Sequence, residues 1–326
     1  MNSIATSRSP VVLTLTLNPA LDHTIAVSEL KLGEVNRALS MQADVGGKGI
    51  NVASCLADYG VPTAVSGLLG RDNAAQFEAL FAAKQIDNRF HYLDGLTRIN
   101  TKLVDRATGE TTDVNMPGPS LSADAIAQAT AHFEACLDAL LPQAGWVVLA
   151  GSLPPGWPAE IYARLIEAVR QRGGRSLLDA SGAALAAAIA AGPDIAKPNR
   201  DELAELVGHA LPDVDAVVAA GRTLLHDTPA LRTLVVSMGG DGALFLNREE
   251  ALLAHPAEIE PVSTVGAGDA MVAGIVAATL ERASLKAAAQ LATAFSAAKL
   301  TRLGPHLPAP DEVRALAERI RTTVVA

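Results

Sequence analysis

Short apolar runs rich in Val, Leu and Thr recur along the chain at 11–17, 63–69, 146–150, 176–179, 194–197 and 231–237. Between them lie longer Ala-rich segments: 49–59, 73–84, 123–141, 158–172, 200–207, 213–226, 267–281, 285–300 and 311–324. The short runs predict buried strands and the longer segments predict helices. Pro and Gly punctuate nearly every junction. Strand and helix in alternation predict βα units, and so an α/β fold with a mostly parallel central sheet flanked by helices on both faces.

Two stretches break the alternation, 26–45 and 97–116, and in the second Thr108-Gly109 sits between two runs that alternate polar and apolar residues. That pattern predicts a hairpin. Both stretches are expected to form strands of a small lid outside the main sheet. The chain has no Pro- or Ser-rich linker and no repeat at solenoid spacing, so residues 1–326 are expected to form one domain with the lid inserted.

Composition narrows the partners. Hydrophobic residues make up 49% of the 326 positions but aromatics only 3%, so the core must be built from Ala, Val and Leu. A net charge of -9 disfavours a nucleic-acid or anionic-membrane surface, and any phosphate must be gripped locally. The most membrane-like run, 270–280, is roughly half the length of a spanning helix. The first ten residues lack an apolar signal segment, and the two cysteines, Cys55 and Cys136, lie in apolar helical surroundings. These features predict a cytoplasmic protein with reduced, buried thiols. The seven histidines show no ligand spacing and read as surface or turn residues.

Two Gly-rich helix starts carry the candidate chemistry. Thr264-Val265-Gly266-Ala267-Gly268-Asp269 opens an apolar helix. Bare N–H groups and the helix dipole make such a start an anion hole, and a carboxylate in the first turn can accept a hydroxyl proton. Gly46-Gly47-Lys48-Gly49-Ile50-Asn51 opens another helix, with a cation and an amide suited to a polyhydroxylated anion. Neither segment has the GxxxxGK[ST] or GxGxxG spacing of the common nucleotide loops.

With 16–22, 33–37, 97–100, 151–156, 197–203 and 263–269 in order along the chain, the sequence resembles the phosphofructokinase B family of ribokinase-like sugar kinases. The resemblance extends over essentially the whole chain and is strongest to the branch acting on fructose 1-phosphate. It implies a ribokinase-like fold, ATP as phosphoryl donor with Mg²⁺, and a phosphorylated ketohexose as acceptor. It makes Asp269 the general base and the N–H groups of Gly266, Ala267 and Gly268 the anion hole. Asp22, Gly46, Gly47, Lys48, Asn51, Arg98 and Ser152 would bind the sugar phosphate, with Arg98 and Lys48 on its existing phosphate. Lys197, Asn199, Ser237, Gly239, Gly242, Thr264, Thr293, Ser296 and Ala297 would bind the nucleotide, and Asn199 and Glu202 would hold Mg²⁺ through water. Asn199 and Glu202 are three apart, however, so they also read as a helix N-cap and its capping-box partner. One departure is Ala270, where many relatives carry Ser.

Cations at Arg98 and Lys48 favour a phosphorylated acceptor over a free sugar or nucleoside. Fructose 6-phosphate and tagatose 6-phosphate are the alternative acceptors. A non-catalytic sugar-phosphate sensor and a dehydrogenase are the rivals from other classes. The intact Gly-Ala-Gly-Asp segment speaks against the first and the missing GxGxxG against the second. Lid strands expose edges that pair readily with a second copy, so a homodimer through the lid is expected.

Overall fold

A computed structural model describes residues 11–142, 145–260, 266–302 and 304–325. The chain opens with β1 (Val12–Thr16), then passes at once into β2 (Ala20–Val27) and β3 (Ala38–Gly46). It returns through α1 (Lys48–Asp58) to β4 (Thr63–Gly70) and α2 (Ala75–Lys84). Two short strands follow, β5 (Asp87–Asn88) and β6 (His91–Leu93), and then the pair β7 (Ile99–Asp105) and β8 (Thr111–Val114). From α3 (Ala123–Leu140) strand and helix alternate: β9 (Trp146–Ala150), α4 (Ile161–Gln171), β10 (Arg175–Asp179), α5 (Gly182–Ala190), β11 (Ile195–Ala196), α6 (Arg200–Val207), α7 (Val214–Asp227) and β12 (Thr233–Ser237). The chain closes with the hairpin β13 (Ala243–Leu246) and β14 (Ala251–Ala254), the helices α8 (Ala267–Leu280), α9 (Leu285–Leu300) and α10 (Pro310–Arg319), and β15 (Thr322–Val324).

The main sheet runs β15-β14-β13-β12-β11-β10-β9-β1-β4-β5, with β6 also on β4. Every pairing from β12 across to β5 is parallel, while β13, β14 and β15 add antiparallel strands at one edge. Alternation within each strand sends side chains to two helical layers. In β9, Val147 and Leu149 pack with Phe133 of α3 and Leu165 of α4, whereas Trp146, Val148 and Ala150 meet Val52 of α1, Val272 of α8 and Phe295 of α9. A second sheet of order β3-β2-β7-β8 forms the lid.

The first lid strand begins at Ala20, earlier than the predicted 26–45, because only Asn18 and Pro19 and their neighbours separate it from β1. The predicted final helix stops at Arg319, and Thr322–Val324 instead pairs antiparallel with β14. Its β-branched residues fit that strand better than a last helical turn. Five elements went unpredicted: α5, uniformly apolar and so without periodicity, and the short strands β5, β6, β13 and β14. Cys55 and Cys136 are free and buried, as expected. No helix among the described residues is long and apolar enough to cross a membrane.

Candidate active site

Parallel strands deliver their carboxyl ends to one edge, and the candidate residues gather there. Above that edge lies the start of α8, capped by Gly266 with φ 81°, in the left-handed region that glycine adopts most easily. The helix is buried on all sides from Asp269 to Ala278, which fixes its first turn against α1 and α9. Asp269 is itself only 8% exposed, and Asn51 Nδ2 donates to its Oδ2 at 2.7 Å. Burial, with the nearby Asp179 carboxylate second, pushes the Asp269 pKa up to about 6, against the pull of Asn51, Lys48 and Lys197. A carboxylate poised there is ionised at neutral pH yet basic enough to take a proton in a transition state.

Asp179, at the end of β10, is the hub that the sequence did not reveal. It is 1% exposed, and its Oδ1 meets Lys48 Nζ at 2.9 Å and Lys197 Nζ at 3.5 Å. Lys197 Nζ also lies 3.8 Å from where a Cβ on Gly268 would stand, so this ammonium flanks the helix start. Burial works against the Lys48 charge, but Asp179, Asp269 and Glu202 outweigh it and hold its pKa above the ordinary lysine value. Lys48 was expected at the sugar's far phosphate. Its side chain instead bonds Asp179 at the end of β10, close enough to Asp269 for the two charges to interact. The glycines around it are required by close approach: a Cβ on Gly49 would lie 2.2 Å from Thr16 Oγ1.

Asp22, a candidate for the sugar, projects from lid strand β2. Asn100 Nδ2 of β7 donates to it at 2.9 Å, while burial, the largest influence, raises its pKa. Gly46 of β3 pairs with Ala20, and a Cβ there would come 2.5 Å from Asp22 Oδ2. Arg98 already donates to the carbonyls of Asn18, Pro19 and Met116, at 2.8, 3.2 and 2.7 Å. Three of its five N–H groups are thus used to tie the strands that cross into the lid, leaving two for a ligand. Gly47 caps α1, and Ser152 Oγ accepts from Asn18 Nδ2 at 3.3 Å.

The nucleotide candidates lie along β11 to β12 and on α9. Asn199 caps α6 and forms a complete capping box with Glu202, both bonds 2.8 Å long. Ser237 bridges to Asn199, and Gly239 opens a single 3₁₀ turn that ends at Gly242. Thr293 and Ala297 are 5% exposed, Ser296 is half-buried beside them, and the Thr293 hydroxyl finds no partner among the described residues. Thr264 lies outside the described residues. Among those described, no three His, Cys, Asp or Glu side chains gather as a metal cage. A Mg²⁺ here would therefore rest on nucleotide phosphates and water, the usual habit of this ion. Glu202 keeps Oε1 for such a water, because the cap uses Oε2. Since Gln also closes a capping box, Glu202→Gln is expected to raise the Mg²⁺ concentration for half-maximal rate without lowering thermal stability. A mutant that only melts earlier would assign Glu202 to the cap alone.

A buried carboxylate in the first turn of a helix, with ammonium groups beside it, has the parts of a phosphotransferase-type α/β site. Residues 15–312 match the pfkB family carbohydrate kinases, and the chain belongs to that family. It is 46% identical over 307 residues to the 1-phosphofructokinase of Xanthomonas campestris, covering 93% of this chain and 95% of that one. It is 45% identical over 313 residues to the 1-phosphofructokinase of Rhodobacter capsulatus, covering 95% and 96%. The solved structure of phosphofructokinase-2 from Escherichia coli in complex with fructose-6-phosphate superposes with a TM-score of 0.85 at 30% identity, over 95% of this chain and 98% of that one. The expected ribokinase-like α/β fold and carbohydrate-kinase activity therefore hold.

Proposed function

We propose that the protein transfers the γ-phosphoryl group of ATP to the C6 hydroxyl of fructose 1-phosphate, giving fructose 1,6-bisphosphate and ADP. The observation that carries the chemistry is Asp269, buried in the first turn of α8 with its pKa pushed up to about 6. The choice of acceptor is supported by the two relatives of 45% and 46% identity. Asp269 accepts the hydroxyl proton as the sugar oxygen bonds to the γ-phosphorus. The bond from phosphorus to the β,γ-bridging oxygen breaks, and ADP leaves with that electron pair. The N–H groups of Gly266, Ala267 and Gly268, with Lys197 and Lys48 beside them, meet the charge spread over the transferring group. Asn51 orients the base, and Asp22 and Asn100 accept and donate to sugar hydroxyls. Mg²⁺, when bound, neutralises phosphate oxygens, and Asn199 and Glu202 would hold its water shell.

Because Lys48 faces the base and Arg98 the lid root, the two cations divide the work. Arg98→Ala is expected to raise KM for the sugar phosphate by about 10 to 10²-fold, since a charge-assisted hydrogen bond is worth roughly 1.5–3 kcal/mol. KM for ATP should stay nearly constant. Lys48→Ala should act on kcat instead.

ATP consumption with fructose 1-phosphate, fructose 6-phosphate and tagatose 6-phosphate tests the acceptor. The highest kcat/KM is expected for fructose 1-phosphate. A higher value for either 6-phosphate would overturn the acceptor and leave the kinase chemistry standing.

We further propose a single cytosolic kinase domain that dimerises through its lid. Leu32 and Val35 are 92% and 87% exposed there, and Leu39 and Met41 of β3 are each 61% exposed. Isolated apolar side chains are ordinary on a surface, but a cluster on a small exposed sheet calls for a partner.

A further inference from the structure

Lys299 is a buried cation that the mechanism above leaves unused. It sits near the end of α9 and is 3% exposed, and its Nζ donates to the Arg302 carbonyl at 3.2 Å. Its side chain runs directly under the Gly266 turn. A Cβ built on Gly266 would lie 3.3 Å from Lys299 Cε and 4.0 Å from both Lys299 Nζ and Asn51 Nδ2. Lys299 and Asn51 therefore flank the left-handed turn that opens the anion hole. Among the described residues no carboxylate comes within ion-pair distance of Lys299. Cys55, Asp269 and Asp44 are its ionisable neighbours, and burial draws its pKa below the ordinary lysine value.

Packing alone does not account for this residue. A buried ammonium without a close counter-ion is costly, and methionine would fill the same space without that cost. Its place in the last turn of α9, with the Arg302 carbonyl accepting from Nζ, suits a cation, but the amino end of α8 that it faces is the positive pole of that helix's dipole and opposes the charge. Lys299 becomes favourable once an anion occupies the hole above it. We infer that Lys299 is a positioning residue for phosphoryl transfer, fixing the Gly266 turn and placing a built-in positive charge beneath the anion hole. This rests on the kinase reading of Asp269 and on no particular sugar, so the test uses ATP with whichever ketohexose phosphate the wild type turns over fastest.

Lys299→Met keeps the volume and removes the charge. It is expected to lower kcat by about 10²-fold, the low end of the loss for one oxyanion-hole donor. KM for both substrates should stay within about threefold, the signature of an interaction made in the transition state. Lys299→Arg should restore most of the rate. In Lys299→Ala, ammonium or methylammonium should raise kcat in a saturable way, with no such response in the wild type. A folded Lys299→Met protein with kcat within about threefold of wild type overturns the inference. So does a loss that neither arginine nor added amine recovers and that follows a fall in Tm, which would make Lys299 a structural residue only.

Discussion

Asp269→Asn is expected to lower kcat by about 10² to 10⁴-fold, the range for losing a general base, with little change in KM. The same substitution should make the protein more stable. In an unfolded chain the carboxyl titrates at its ordinary value near 3.8, but in the folded protein burial pushes it up to about 6. Well below pH 3.8 both states hold the proton and the difference is nil. Between the two values the unfolded chain releases its proton first. Above pH 6 the fold carries the whole cost of the buried charge, on the order of 3 kcal/mol. Asn carries none of it. Melting curves near pH 8 should therefore place the variant above wild type, with the gap narrowing towards pH 4. The wild-type rate should fall on the acid side with a midpoint near 6. Near-normal kcat in a folded Asn variant would remove Asp269 from the mechanism.

Asp179→Ala should be the most damaging substitution for the fold. It leaves the ammonium groups of Lys48 and Lys197 converging on an empty position, and the Lys197 side chain is 5% exposed. Removing one side of a buried ion pair costs about 3–5 kcal/mol, a large part of the stability of an ordinary domain. Asp179→Asn keeps the shape and one accepting oxygen, so it should lose less. It also removes the negative charge that helps raise Asp269, and its acid midpoint should shift to lower pH. Denaturant titration of the three proteins measures the first effect and the pH–rate profile the second. Equal stability of wild type and Asp179→Ala would show that water, not this carboxylate, neutralises the lysines.

The place of Asp269 was legible because Gly266 and Gly268 announce a bare helix start and Asp269 falls in its first turn. The βα alternation was legible for a related reason, since the central strands β1, β4 and β9 are buried along their whole length and most junctions carry a breaker. Asp179 gave no such signal. It is one acidic residue closing the run Leu177-Leu178, and only the parallel pairing of β10 with β9 and β11 brings it between Lys48 and Lys197. Lys299 was hidden for the opposite reason, as one basic residue in an Ala-rich helix whose meaning comes from Gly266 across the fold. Asn199 and Glu202 show that one pattern can carry two readings: the capping box is present, and it leaves an oxygen free for a second task. Arg98 is similar, with its strand placement readable but its grip on three lid-root carbonyls set by tertiary structure alone.

The bond from Asn51 to Asp269 joins residues 218 positions apart. As the ribosome delivers the chain, Asn51 emerges long before Asp269, and nothing local can close that gap. Loop closure over such a span costs only slightly more entropy than over a shorter one, but contacts this distant in sequence form late in folding. Catalytic competence is therefore among the last properties the nascent protein acquires. A chain released before α8 would lack Asp269 together with the helices α8 and α9 that cover one face of the sheet.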